Sequence, residues 1–161
     1  KHAAHERMNF DRMKAEGYDP MSQTLLAPAV CRLSPEEHAA LTARLPLLEE
    51  FGFAAEDFGG GALIVRRAPF DVDPGDIEAT LTEIARKLLS TGSADPAAAR
   101  DELLHTMACK AAIKGGWRTS PQELERMARA VMSGQVRYCP HGRPVAIELT
   151  RGQLEKQFKR A

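Results

Sequence analysis

Residues 59–90 read GGGALIVRRAPFDVDPGDIEATLTEIARKLLS, and this stretch decides the fold class. The three glycines predict a turn, and residues 62–67, which follow them, predict a strand. Residues 76–90 carry apolar side chains at positions 77, 81, 84, 85 and 88, which is the spacing of an amphipathic helix. A strand followed by such a helix predicts a fold that mixes α and β structure.

Further helices are predicted on both sides of this stretch. Residues 2–16 are rich in helix-forming residues and stop at Gly17, whose backbone freedom suits a helix end. Capping boxes predict the starts of three more helices; these helices cover residues 35 to about 50, 121 to about 132, and 151 onward. An Ala-rich helix is predicted from Pro96 to about Lys114, closed by Gly115 and Gly116.

Two extended segments and one linker complete the predicted elements. Residues 25–33 are an apolar run that contains Pro28, and because proline lacks an N–H for a sheet ladder, we expect an edge strand. Residues 138–144 hold two prolines and a glycine, which excludes regular structure there and predicts a rigid loop. Residues 145–149 predict a short strand after the loop, and residues 91–95 predict a polar linker.

The composition describes a soluble, ordered chain of one domain or two small subdomains. Its 161 residues include 22 Lys and Arg against 22 Asp and Glu, and 43% are hydrophobic. This neutral balance argues against a protein that holds DNA by a global basic field. Cys31, Cys109 and Cys139 are too few and too far apart for a disulfide framework, which favours a reducing compartment. No apolar run approaches the roughly 20 residues of a membrane span.

Cys139 and His141 form the strongest chemical signal in the sequence. A thiolate and an imidazole two residues apart, on a loop stiffened by proline, can both face one cation, and such ligands suit zinc. Zinc needs about four ligands, and the further candidates are Cys109 together with His2 and Glu6, one turn apart on one helix face. His5 is the competing choice for His2.

Each candidate also has a purely structural interpretation. A single cysteine such as Cys109 on an Ala-rich helix is more often a small buried residue than a ligand. His2 and Glu6 near the start of the chain would ordinarily form a solvated helix end. Turns such as the one at Cys139 hold Cys and His for packing as well. Cys31, inside an apolar segment, is predicted to belong to the core.

Residues 23–28, QTLLAP, form a second candidate site. An extended segment with a glutamine, an aliphatic residue three positions later and a proline two positions after that can insert side chains into a hydrophobic pocket of a partner. The alternative is the plain start of a strand, and the spacing alone leaves both interpretations open.

Together these residues resemble the C-terminal endonuclease domain of the MutL family of mismatch-repair proteins. Residues 1–11, KHAAHERMNFD, resemble the end of the family's metal-binding signature, Asp-Gln-His-Ala-x-x-Glu-x-x-x-x-Glu, with Lys1 in place of Gln and Asp11 in place of the final Glu. The leading Asp of that signature would fall before residue 1. Three more motifs follow in the family's order: 108–110 (ACK) resembles Ala-Cys-Arg, 139–144 (CPHGRP) matches without change, and 158–160 (FKR) matches Phe-x-Arg.

The resemblance implies a site and its cofactors. His2, Glu6, Cys109, Cys139 and His141 would ligate one or two zinc ions, with His2 and Glu6 in catalytic roles and Mn²⁺ as the catalytic metal. Arg143, Phe158 and Arg160 would support the motifs or contact DNA phosphates. Gln23, Leu26 and Pro28 match the motif with which such bacterial proteins bind the replication sliding clamp, which favours the docking interpretation of that segment.

The resemblance also implies an architecture and a function. A dimerisation subdomain would comprise residues 1–22 and 104–161, with a smaller regulatory subdomain, 23–103, inserted in it; the family's earlier strands would precede residue 1. The chain, which lacks an initiator Met, would be a piece of a longer protein that nicks one DNA strand in mismatch repair. The implied partners are DNA, a second copy, MutS and the clamp, in the bacterial cytoplasm near the nucleoid. ATP would bind only to an N-terminal region. The alternative is a zinc-binding dimerisation module without cleavage.

Overall fold

The computed structural model of the chain describes residues 2–91, 95–113 and 118–159. Helices and one three-stranded sheet make up these ranges, so the predicted mixed α+β class is confirmed. In chain order, the elements are α1 (His2–Glu16), β1 (Ser22–Arg32), α2 (Pro35–Thr42), α3 (Leu45–Glu50), β2 (Ala54–Gly59), β3 (Ala62–Pro69), a 3₁₀ turn (Pro74–Asp76), α4 (Ile77–Ser90), α5 (Pro96–Lys110), α6 (Pro121–Met132) and α7 (Arg151–Gln157).

The chain divides into two compact units. The terminal unit comprises Lys1–Met8 and Ile113–Ala161, and the central unit comprises Asn9–Ala112. Helix α1 therefore begins in one unit and ends in the other. The subdomain limits taken from the family, at residues 22 and 104, stay a prediction.

An antiparallel sheet in the order β1-β3-β2 forms the middle of the central unit. Strand β1 lies at the edge, as the proline in its sequence predicts. The register between β1 and β3 shifts between Thr24 and Ala29, so residues 25–28 form a bulge that takes no part in the ladder. Pro28 lies in this bulge, where its missing N–H costs no ladder hydrogen bond.

The core of the central unit lies between this sheet and the helices. Helix α4 packs against α2, α5 and β1. Its five predicted apolar positions are all buried, together with Thr80, and they join buried side chains of α5 such as Leu103 and Met107. Cys31 is fully buried in this core, as predicted. Burial, helped by the nearby charge of Glu78, raises the pKa of the Cys31 thiol to about 11, which keeps it protonated and unreactive at neutral pH.

The helix starts follow the predicted caps. Ser34 accepts a hydrogen bond from the Glu37 N–H at 3.2 Å, and the Glu37 carboxylate accepts one from the Ser34 N–H at 3.0 Å. The Glu37 carboxylate also accepts one from Arg86 at 2.8 Å; these bonds, first the backbone one from Ser34 and then the one from Arg86, hold the pKa of Glu37 below its usual range.

Two sequence predictions about these elements are wrong, and one strand is missing from them. The single helix expected over residues 35–50 is two helices, because Pro46 lacks the N–H that a continuing helix requires and so starts α3 instead. The strand expected over residues 145–149 is a segment that joins no ladder within the described residues; an isolated bridge, Tyr138 with Pro144, precedes it. Strand β2 was not predicted at all.

Two other predictions fall partly beyond the described part of the chain. Helix α5 ends at Lys110, whereas the sequence predicts an end near Lys114; residues 114–116 lie outside the described residues. The predicted polar linker over residues 91–95 includes 92–94, which lie outside them too.

The terminal unit has a small core of its own. Ala4 of α1, Ala130 of α6 and Val136 are buried together, with Met8, Val131 and Val145 packed against them. This core fixes the start of α1 beside the segment that carries Cys139 and His141.

Candidate metal centre

Residues 137–145 form a tight hairpin that carries Cys139 and His141. The Val145 N–H donates to the Arg137 carbonyl oxygen at 3.0 Å, and the Cys139 N–H donates to the Arg143 carbonyl oxygen at 2.8 Å. The Gly142 N–H donates to the Cys139 carbonyl oxygen at 2.9 Å, which closes a four-residue turn between the two arms.

The proline and the glycine of CPHGRP account for the shape of this hairpin. Pro140 is the second residue of the turn, where its fixed φ is favourable. Gly142 has φ +78°, the left-handed conformation in which glycine avoids a steric cost. His141 does not have a positive φ, so the turn is type I followed by a left-handed residue, a common three-residue hairpin loop. Pro140 and Gly142 thus shape the loop on which the Cys and His side chains stand.

Glu6 meets this hairpin from helix α1. Its side chain is only 5% exposed, and its Oε1 lies 3.2 Å from Nδ1 of His141. Within the described residues, no donor forms an aligned hydrogen bond to that buried oxygen. A buried carboxylate oxygen without a donor is costly, and a bound cation is one of the few partners that would offset this cost. The structural alternative for Glu6, a solvated helix end, therefore does not apply.

Glu6, Cys139 and His141 together form a candidate metal site. One ligand atom from each lies within 4.8 Å of those from the other two. Cys139 is 4% exposed, whereas the His141 side chain is 46% exposed, so the set opens to solvent on the imidazole side. Oxygen, sulfur and nitrogen donors in one cluster are a ligand set that suits zinc. The residues present therefore fit the predicted ion.

The two histidines of α1 have different roles. His2 is exposed, and its Nδ1 donates a hydrogen bond to the Ile113 carbonyl oxygen at 3.1 Å. That bond places the lone pair of the neutral ring on Nε2, the arrangement that metal-binding histidines use. His5 is buried, and its Nδ1 accepts the Ile113 N–H at 3.0 Å, which places its proton on Nε2, 3.5 Å from Glu123. His5 is therefore held by structural contacts, which favours His2 as the ligand.

The remaining predicted ligand and motif residues are spread over the chain. Cys109 lies half-buried near the end of α5 in the central unit, and its ligation stays a prediction. Arg143 is exposed at the hairpin, and Phe158 is 74% exposed at the end of α7. Arg160 lies outside the described residues.

The predicted docking segment has one anchored residue and two exposed ones. The Gln23 side-chain amide donates to the Val72 carbonyl oxygen at 3.2 Å. The Leu26 side chain is fully exposed, and Pro28 is also exposed. Both lie in the bulge of β1, so the sheet presents them at its free edge.

The distribution of charge between the two units is a feature that the net charge conceals. The terminal unit carries twelve Lys and Arg against five Glu, and the central unit carries ten Lys and Arg against seventeen Asp and Glu. The neutral chain is thus a basic unit joined to an acidic one. The argument from net charge against DNA binding therefore does not hold for the terminal unit. Counting charges separately for segments of the sequence would have revealed this asymmetry, provided that the limits of the two units were known.

A buried carboxylate, a thiol and an imidazole held together in an α+β chain define a candidate metal-binding domain. The family model named "MutL C terminal dimerisation domain" matches residues 1–119, and the chain belongs to that family. No helix in the described ranges is long and apolar enough to cross a membrane.

Curated relatives match along the whole chain. DNA mismatch repair protein MutL of Acidiphilium cryptum is 38% identical over 166 residues, covering 100% of this chain and 28% of its own length. The proteins of the same name from Anaeromyxobacter dehalogenans and Caldanaerobacter subterraneus are 41% and 31% identical, and each match covers 99% of this chain and 27% of the relative. The chain thus spans a little over a quarter of the length of these relatives.

Proposed function

We propose that this chain is a metal-dependent endonuclease domain that nicks one DNA strand during mismatch repair and that also joins two copies of its protein. The observation that carries the nuclease proposal is the Glu6, Cys139 and His141 set, whose buried carboxylate oxygen accepts no aligned hydrogen bond from the described residues. The role in mismatch repair is drawn from the relatives, whose names state that role.

The ligand chemistry supports zinc at this set rather than Mn²⁺. A thiolate is a soft ligand that selects zinc, whereas Mn²⁺ prefers carboxylate, carbonyl and water oxygens. Glu6 supplies the only carboxylate among the three residues. We therefore assign zinc to the set and propose Mn²⁺ as the catalytic metal, with Glu6 and His2 in catalytic roles. When bound, such a divalent ion supplies charge for a phosphate and activation of water at neutral pH.

The chain's own residues would hold and orient these ions. Cys139 is fixed by the backbone bonds of its hairpin, and His141 stands at the exposed side of the set, where a DNA phosphate could approach. His2, one turn before Glu6 on α1, already donates its Nδ1 proton to a backbone carbonyl, so its Nε2 is the nitrogen to bind metal. Cys109 is proposed as a further zinc ligand.

Dimerisation is supported by the surface of the terminal unit. Its few buried apolar residues contrast with seven large apolar side chains that are exposed among its described residues, namely Leu124, Met132, Tyr138, Ile147, Leu149, Leu154 and Phe158. Three of them lie in the hairpin and in the extended segment that follows it. Exposed apolar groups of this number favour a protein interface, and the family's name refers to dimerisation.

Sliding-clamp binding is a second candidate function, at β1. Leu26 projects fully into solvent from the bulge, which is the presentation that a side chain needs to enter a hydrophobic pocket.

We propose the remaining partners, MutS and an ATP-binding N-terminal region, and the location in the bacterial cytoplasm near the nucleoid, from the family alone.

Nicking of supercoiled plasmid in Mn²⁺ tests the nuclease proposal. The assay uses the chain extended at its N-terminus by the Asp that the family signature places before Lys1. We expect nicked circles with this protein, and a loss of at least 100-fold for Glu6→Gln, an estimate on the order of the losses seen when catalytic metal sites are disturbed.

Glu155→Gln is the matched control, because Glu155 also faces one ion-pair partner but lies on α7 and is not a member of the set. It should nick at the rate of the parent. Absence of nicking in the extended parent, in a preparation with bound zinc, would support the zinc-binding dimerisation module instead. Nicking by Glu6→Gln at the parental rate would remove Glu6 from the site.

A further inference from the structure

We infer that His5 is a positioning residue for the proposed metal centre. Through the backbone of Ile113, it fixes which ring nitrogen of His2 carries the proton, so that Nε2 of His2 is prepared to bind metal. The inference rests on the proposed function and deepens it, because it names the group that prepares one of the proposed ligands before any ion binds.

The backbone of Ile113 is held on both sides by histidines of α1. Its N–H donates to Nδ1 of His5 at 3.0 Å, and its carbonyl oxygen accepts from Nδ1 of His2 at 3.1 Å. The two histidines are three positions apart on α1, and side chains with this spacing are neighbours on a helix surface. Ile113 is buried, so water competes little for its polar groups. The main chain of Ile113 therefore links the two imidazoles.

The protonation of His5 is fixed by its partners. A backbone N–H can only donate, so Nδ1 of His5 holds a lone pair and the neutral ring carries its proton on Nε2. The Glu123 carboxylate lies 3.5 Å from that nitrogen, and its negative charge favours this tautomer. Because the His5 side chain is only 10% exposed, water cannot readily replace either partner. His5 is thus a fixed acceptor for the Ile113 N–H.

His2 lies in a less protected position than His5. It is the first residue of α1, and it is exposed. In an exposed, neutral imidazole without a fixed partner, the proton exchanges between the two nitrogens. The hydrogen bond to the Ile113 carbonyl oxygen selects the tautomer with the proton on Nδ1. Metal-binding histidines are commonly oriented in this way, by a group that accepts the proton of the other nitrogen.

The test reads the His2 tautomer in the metal-free chain. Long-range ¹H–¹⁵N correlation spectra are recorded at mildly alkaline pH, where ordinary imidazoles are neutral, and the His2→Gln spectrum identifies the His2 signals by their absence. We expect the His2 proton on Nδ1 in the parent and a mixture of both tautomers in His5→Leu. Zinc affinity, measured by competition with a chromophoric chelator, should fall by about 10-fold or more in His5→Leu.

His5→Asn separates the acceptor role of His5 from its packing. The Asn side chain places an oxygen acceptor close to the position of the His Nδ1, so this variant should keep most of the parental tautomer and zinc affinity. His38→Leu is the control, because His38 also pairs with a carboxylate, that of Asp57 at 3.0 Å, but lies on α2 of the central unit. It should change neither readout.

Three results would overturn the inference. They are a His2 proton on Nε2 in the parent, the parental tautomer and zinc affinity in His5→Leu, and equal losses in His5→Leu and His5→Asn. The parent and His5→Asn decide the question if His5→Leu does not fold. A parent that nicks DNA while His5→Leu is unaffected would refute only this inference, whereas a parent that does not nick, with the tautomer and zinc effects present, would refute only the nuclease proposal.

Discussion

Oε1 of Glu6 lies 3.2 Å from Nδ1 of His141, which joins the first helix of the chain to a hairpin near its end. Neither residue has a local reason for this position. Glu6 is buried although it lies one turn from the start of α1, and His141 is the third residue of a turn that solvent reaches. The pair is explained if both side chains serve a common ligand, and the predictions below follow from that arrangement.

Removal of one ligand should remove the zinc. We expect Cys139→Ser to lower zinc affinity by at least about 10-fold. Changing even the residues that hydrogen-bond to metal ligands lowers metal affinity by about 10-fold to 100-fold. Zinc content per chain, measured by inductively coupled plasma mass spectrometry after dialysis, checks this. Cys31→Ala is the matched thiol control, because Cys31 belongs to the core; it should keep the zinc of the parent. Full zinc content in Cys139→Ser would contradict the assigned ligand.

The hairpin conformation should depend on Gly142. A Cβ at this position would meet no atom within 4 Å, but the φ of +78° is strained for an L-residue. We therefore expect Gly142→Ala to destabilise the hairpin by about 1–2 kcal/mol and to weaken zinc binding.

Gly152 is the matched control for Gly142, because it lies in α7 without a positive φ and also with open space around it. Gly152→Ala should leave zinc binding unchanged and stabilise the protein by up to about 1 kcal/mol. Urea denaturation and zinc titration measure both effects. Equal behaviour of the two variants would show that the left-handed turn does not matter for the site.

Dimerisation should depend on the segment that follows the hairpin. Ile147 is 77% exposed in the terminal unit, and Ile147→Asp would place a charge in the proposed interface, where burying it is unfavourable. Sedimentation equilibrium should show a shift from dimer to monomer. Phe58→Asp, at an exposed residue of the central unit, should leave the dimer intact; a dimer that survives Ile147→Asp would move the interface elsewhere.

Clamp binding should separate Leu26 from Gln23. Leu26 is fully exposed, so Leu26→Ala should abolish clamp binding without an effect on stability. Gln23 donates to the Val72 carbonyl oxygen, so Gln23→Ala should also cost about 1 kcal/mol of folding free energy. Surface plasmon resonance with the clamp and thermal denaturation measure the two effects. Val30→Ala, at a half-exposed residue of the same strand, is the control, and parental binding by Leu26→Ala would refute the docking proposal.

Capping residues and prolines correctly predicted the helix starts and strand positions that depend on neighbouring residues in the sequence. The capping residues Ser34 and Thr150 each accept a hydrogen bond from the N–H three residues later, as their sequence motifs predict. Pro28 similarly predicts the edge position of β1. The break between α2 and α3 was also predictable, because Pro46 lies inside the expected helix and a proline lacks the N–H that a continuous helix needs.

The elements that were missed depend on partners elsewhere in the chain. Strand β2, AAEDFG, lacks an alternating apolar pattern and is a strand because its backbone pairs with β3. Residues 145–149 have the pattern but no ladder partner in the described structure, so they remain extended chain. The Glu6–His141 contact involves residues that are far apart in sequence, and so does the basic terminal unit. No rule based on residue spacing predicts either feature. The family resemblance, rather than periodicity, is what predicts from the sequence that Glu6 and His141 belong to one site.

The bulge in β1 has a consequence for the solution behaviour of the protein. A free sheet edge with exposed aliphatic side chains is a template on which other chains can add strands and begin to aggregate. Residues 25–28 interrupt the regular hydrogen-bonding row of β1 at this edge, and Pro28 removes one donor from it altogether. The same four residues that hold Leu26 in solvent therefore also disfavour the addition of a further strand at this edge.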